Sequence, residues 1–230
     1  MNLPNTTNRE WYEVSVFGFL DDTNEGPLSE SPWDQILYAS ENFVVVPTRG
    51  ALVKGWLLVV PKQPFLCVGA LSDSLRQELE ETKELVASIV HDRFGEVAFF
   101  EHGPSQKGHQ VGCGVDHAHL HVVPTECPLL VGAKKVSDLQ WTEVEGLRAA
   151  VGYFQHSAPY LYVEQSGSSY MAPAQDAPSQ LFRRVIASHI GSPESFNWRD
   201  DPKRENVIAT VDELAGRFPS PLVGSGGLSE

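Results

Sequence analysis

Cysteine is scarce in this chain. Cys67, Cys113 and Cys127 are the only three among 230 residues, and none stands in a Cys-x-x-Cys pair. That argues against a disulfide framework or a thiolate zinc site and fits a reducing cytoplasm. Positive charge is also sparse: 17 Lys and Arg stand against 30 Asp and Glu, a net charge of −13. A chain so acidic lacks the clustered cations that grip a phosphate backbone, so no nucleic acid polymer is expected as a partner. A small anion remains open if the positive groups are local. No apolar run reaches the roughly 18 residues of a membrane span. The opening MNLPNTTNRE has no signal-peptide hydrophobic core. A cytoplasmic protein with no membrane partner is the expectation.

What is present is the composition of a globular chain, 41% hydrophobic and 20% charged, long enough to bury a sizeable core. WYEVSVFGF reads as one early strand, and NEGPLSESPW after it as a loop. NFVVVP and GWLLVVPK are β-rich runs joined by TRGALVK, an antiparallel pair. SDSLRQELEETKELVASIVHDRF is the clearest helix, with capping-box spacing at Ser74 and Gln77 and a stripe of Leu75, Leu79, Val86, Ile89, Val90 and Phe94. EVAFFEH reads as a strand, followed by the Gly-rich GPSQKGHQVGCG. VSDLQWTEVEGLRAAVGYF has the apolar spacing of a second helix. PYLYVEQSGSSYMAPA reads as a hairpin turning at Ser166-Gly167, SQLFRRVIASHIG as a helix, and DPKRENVIATVDELAGRF as a last helix with Pro202 in its first turn. Without βαβ alternation, the class is α+β with an antiparallel sheet.

GVDHAHLHVVP is the unusual stretch. On a strand, His117, His119 and His121 share one face while Ala118, Leu120 and Val122 pack on the other. Imidazoles are poor core filler, because each carries nitrogens that need partners. Three uses fit the spacing: nucleophilic attack on phosphorus, a three-His metal site, or satisfied histidines on a half-buried strand. The glycines before the strand let main-chain N–H groups come close to a phosphate. Asp116 either orients an imidazole or forms a turn.

His117-Ala118-His119-Leu120-His121-Val122-Val123 resembles the signature of the histidine-triad (HIT) superfamily. Residues 33–125 follow that family's order, and the tail looks, more loosely, like the C-terminal extension of its larger members. The resemblance implies an α+β sheet with helices, often a homodimer, and hydrolysis or transfer at the α-phosphate of a nucleotide or nucleotide conjugate. It makes His119 the residue transiently nucleotidylated, with His117 and His121 contacting the phosphate or setting the nucleophile's tautomer. It calls for no cofactor and no metal. The sequence departs from the family at Gly55-Trp56, where a histidine is usual, and His102 is a candidate replacement. Cys113 and Gly114 stand where relatives place Gln and Ser or Thr, so leaving-group recognition is expected to differ.

Further substrate-binding candidates are Gly112 and Lys107 in the loop, and Arg183 on the tail helix, paired with Arg184. Lys54 and Lys62 are loop cations of the same kind. His109 is expected to face solvent, and His91, His156 and His189 to be structural. The expected partition is an N-terminal segment to 30, a catalytic domain over 31–130, an extension on the same core over 131–218, and a disordered tail over 219–230. Two other readings stay open: a metal-dependent three-His hydrolase and a non-catalytic nucleotide-binding protein.

Overall fold

The computed structural model describes residues 31–112 and 114–219, together with Phe17 and Leu20. Except for Phe17, the early strand expected in WYEVSVFGF lies outside the described residues, as do Cys113 and the tail from 220 onward. In chain order the strands are β1 (Tyr38–Ala39), β2 (Phe43–Pro47), β3 (Leu57–Pro61), β4 (Val97–Gly103), β5 (Leu120–Pro124), β6 (Thr142–Val144), β7 (Tyr160–Gln165) and β8 (Ser168–Pro173). They form one sheet in the order β1-β2-β3-β5-β4-β7-β8-β6, and every pairing is antiparallel. The helices are α1 (Asp73–Phe94), α2 (Leu129–Val136), α3 (Ala150–Gln155), α4 (Leu181–His189) and α5 (Arg204–Leu214). The α+β class with an antiparallel sheet is therefore observed.

β2 and β3 read as unbroken apolar runs because both of their faces are covered. Phe43, Val45, Leu57 and Val59 pack with α1 residues Leu79, Val86 and Val90. Val44, Val46, Leu58 and Val60 pack instead with Phe17. Further along the sheet, Phe100, Val123 and Leu161 are covered by Leu129 and Ala133 of α2, Phe182 and Ile186 of α4, and Val207 of α5. The tail thus continues the sheet from β4 through β7 and roofs the face opposite α1.

Several local expectations are corrected. The α1 N-cap is Ser72, whose hydroxyl accepts from Leu75 N–H at 3.3 Å. Ser74 is already inside the helix, and Gln77 bonds Glu81 rather than a cap. Residues 136–154 are not one helix: Val136 ends α2, Thr142–Val144 pair with β8, Gly146 turns the chain at φ +71°, and α-helix resumes only at Ala150. Helical periodicity there lost to an open strand edge that β6 completes. The short α2 has no separate sequence signal; Gly132 lets it lie against Val185, where an added Cβ would come within 2.3 Å of a methyl group. Pro202 precedes α5 instead of opening it, and its carbonyl accepts from Gly50 N–H at 2.8 Å. The hairpin at Ser166-Gly167 is as expected, with both residues at positive φ.

Candidate active site

β5 begins at Leu120, so only His121 of the three histidines lies in the regular strand. His117 and His119 sit in the lead-in, held by Ala118 N–H donating to Phe65 C=O at 2.6 Å. Ala118, Leu120 and Val122 are buried, as the alternation requires. Within the sheet His121 lies between Leu58 of β3 and Phe100 of β4.

Hydrogen bonds assign a tautomer to each ring. Trp56 Nε1–H can only donate, so His121 Nδ1 is an acceptor at 3.1 Å and its proton is on Nε2. His119 Nδ1 is 2.8 Å from the carbonyl of His117, which can only accept, so Nδ1 carries the proton and Nε2 keeps its lone pair. His117 Nε2 donates to Pro61 C=O at 2.7 Å. The His119 and His121 ring centroids are 5.0 Å apart, and Phe100 stacks on His121 at 4.2 Å with a 17° interplanar angle.

Burial keeps these rings neutral. It pushes His119 down to about 4, against the opposing pull of the His117 carbonyl. Burial, with the nearby charge on His119 and Arg183, holds His102 down at about 3, and His121 is pushed well below its ordinary value chiefly by burial. A neutral imidazole with a free Nε2 is a nucleophile across the physiological range.

His119 and His121 open on a pocket whose wall also includes His102, Gly112 and Arg183. His102 reaches it from β4, its ring 6.2 Å from that of His121 and its buried Nε2 without a hydrogen-bond partner among the described residues. Arg183 is buried and pinned from α4, with Nε donating to Phe196 C=O at 2.8 Å and Nη2 to Gly50 C=O at 2.5 Å. His117 does not line this pocket. Its ring fastens the lead-in to the end of β3.

Other candidates fall elsewhere. Lys107 is exposed in its loop. Gly114, at φ +74°, lies under the Arg199 guanidinium, outside the pocket lining. Arg184 turns onto the Phe196 ring at 3.6 Å, Lys54 pairs with Glu213 at 3.6 Å, and Lys62 bonds Ser40 and Glu41 carbonyls. Asp116 takes the turn role, accepting from Gly108 N–H at 2.8 Å. Two of the loop N–H groups are engaged within the loop: Gly112 N–H bonds the His109 carbonyl and Val115 N–H the Gly112 carbonyl. His109 is half-buried rather than solvent-facing, its Nδ1 accepting from Val111 N–H.

Sequence reading missed Arg49, Trp198 and Phe17, which also line the pocket. Nothing in their local pattern marks them. Arg49 sits in the turn after β2, Trp198 follows α4, and both reach the pocket through the docking of the tail on the sheet. Trp56 was visible only as a departure from the expected histidine. Among the described residues, no group of three or more His, Cys, Asp or Glu is arranged to hold a metal ion.

Comparison with solved structures gives low likeness. A hypothetical histidine triad nucleotide-binding protein from Sulfolobus tokodaii strain7 aligns at 23% identity and TM-score 0.34 over 39% of this chain and 59% of that one. A Hit-like protein involved in cell-cycle regulation from Bartonella henselae, with unknown ligand, aligns at 12% identity and TM-score 0.36 over 53% of this chain and 84% of that one. The chain therefore spans less than two thirds of the first of these. Comparison with curated proteins gives no match. The family model described as the HIT domain matches residues 30–127, the segment that holds β1 through β5, α1 and all three triad histidines. Over that segment, less than half of the chain, this protein matches the HIT domain.

Proposed function

We propose that the protein is a nucleotide hydrolase or nucleotidyltransferase that acts at the α-phosphorus of a nucleotide conjugate through a covalent intermediate on His119. The observation that carries this reading is the His119 Nδ1–His117 carbonyl bond at 2.8 Å, which leaves Nε2 as a lone-pair donor at the pocket. His119 Nε2 bonds to phosphorus as the bond to the leaving group breaks, and the leaving group departs with that electron pair. The ring gains positive charge in this step, and the His117 carbonyl stabilises it through the Nδ1–H bond. His121 Nε2–H supplies a donor for a non-bridging oxygen, in a site with little water to reorganise. Water or a second acceptor then attacks phosphorus, loses a proton, and returns the lone pair to His119.

Intact-protein mass spectrometry with a panel of nucleotide conjugates tests this reading. Wild type is expected to gain the mass of one nucleoside monophosphate, and His119→Ala to gain nothing. Nucleotide binding and silent product assays without an adduct on any substrate would favour a non-catalytic binding protein.

A further inference from the structure

Among the described residues, the pocket wall beyond His119 and His121 contains two guanidinium groups, Arg49 and Arg183, and no carboxylate. In a chain of net charge −13 that local balance needs a reason. Arg183 has one: two of its donors hold the backbone of Gly50 and Phe196. Among the described residues Arg49 has no comparable partner. Its Nε is buried without a hydrogen bond, and it makes no ion pair among the described residues. Leaving a buried donor without an acceptor is costly.

Arg49 is nonetheless held in place. Its guanidinium carbon lies 4.9 Å from the Trp33 ring centroid and 5.5 Å from that of Trp198. Indole faces orient a cation without using its N–H groups, so the fork stays available to an acceptor. The tail fixes this arrangement. Gly50 at φ +74° allows the Trp198 backbone to press on the turn, where an added Cβ would come within 2.8 Å of Trp198 Cα. Asn206 Nδ2 holds the neighbouring Ala51 carbonyl at 2.8 Å.

We propose that Arg49 binds a second anionic group of the substrate, the phosphoryl or pyrophosphoryl leaving group, so that the substrate is a phosphoric anhydride of a nucleotide. This inference rests on the assignment of His119 as nucleophile, which defines which phosphorus is attacked. As the P–O bond breaks, the electron pair goes to the departing phosphate, and the Arg49 N–H groups neutralise the charge gathering there. The tail then acts in catalysis by building the leaving-group subsite, a role a phosphoramidate with its uncharged amine would not use.

The test compares nucleoside triphosphates with the matching nucleoside 5′-phosphoramidates on wild type and Arg49→Gln. The substitution is expected to lower kcat/KM for the anhydride by about 10- to 100-fold, the worth of a hydrogen bond to a charged group. The phosphoramidate is expected to change by less than about threefold. An equal fall on both, or none on either, overturns the proposal. Calorimetry with inorganic pyrophosphate reads the subsite without turnover: binding to wild type and its loss in Arg49→Gln support it, and unchanged binding overturns it. Absence of a nucleotidyl-histidine would refute the parent mechanism, while the pyrophosphate result would still decide the anion site. Should Arg49→Gln not fold, Arg49→Lys keeps the charge and loses the fork. A selective loss on the anhydride then supports the proposal, and an equal loss on both substrates overturns it.

Discussion

Trp56 donates its indole N–H to His121 Nδ1 at 3.1 Å, and both side chains are buried. An indole cannot accept in return, so this bond sets which nitrogen of His121 faces the pocket with a proton. In the proposed mechanism Trp56 acts as a positioning residue. Trp56→Phe is expected to slow nucleotidylation about tenfold or more through kcat, with KM nearly unmoved. Nitrogen-15 NMR of His121 should show the Nε2–H tautomer in wild type and a mixture in the variant. An unchanged tautomer together with an unchanged rate would remove this role.

The two rings that flank Ala118 are expected to behave differently. His119→Ala should lower the rate at least about a thousandfold, since it removes the proposed nucleophile. Losing this half-buried ring should cost only about 1 kcal/mol of stability. His117→Gln keeps a donor for the Pro61 carbonyl, and the His117 main-chain carbonyl still holds His119. That variant should retain measurable adduct formation. If it were as dead as His119→Ala, His117 would have a direct part in the chemistry.

Acid should weaken the fold from about pH 6.5 downward. His102, His119 and His121 are held below their ordinary values by burial, with His102 at about 3 and His119 at about 4. Below pH 6.5 the unfolded chain takes up protons that the folded rings refuse, so stability falls with pH. Each ring costs about 1.4 kcal/mol per pH unit once below its unfolded value and above its folded one. Glu101 works in the opposite sense: burial raises it to about 7, so the folded state holds its proton while the unfolded chain releases it above about 4.5. Three rings outweigh one carboxyl, and urea midpoints should drop between pH 6.5 and 5. A rise over that interval would contradict the assignment.

The same low value for His119 predicts that kcat/KM stays level from pH 8 to 5 and falls only near 4. A fall centred near 6.5 would mean that the His119 ring is not desolvated in the free protein.

Sheet topology argues for a monomer. Within residues 30–127, β4 would be an open edge, but β7 of the tail pairs with it over six residues from Ala98↔Gln165 to Gly103↔Tyr160. The edges that remain among the described residues, β1 and β6, are two and three residues long, which is too short to template another chain. Sedimentation should give a mass near 25.3 kDa; a stable dimer would point to another face and would match the homodimer that the family resemblance implies.

Local sequence carried the triad, the α1 stripe, the β2–β3 runs and the β7–β8 hairpin, because spacing along an element sets which side chains share a face. The antiparallel α+β class follows from the same periodicities. It could not show that the strand takes hold only at Leu120, that Trp56 stands against His121, or that Arg49 lies beside Trp33 and Trp198. Those pairs are separated by 65 residues for Trp56 and His121, and they meet only when β3 aligns with β5 and the tail docks on the turn at Gly50. The 142–144 segment makes the same point: its helical pattern was real, but an unpaired edge on β8 claimed it. Chemistry that rests on neighbours along a strand is legible in order along the chain, whereas the walls of a pocket depend on register and packing, which no single stretch encodes.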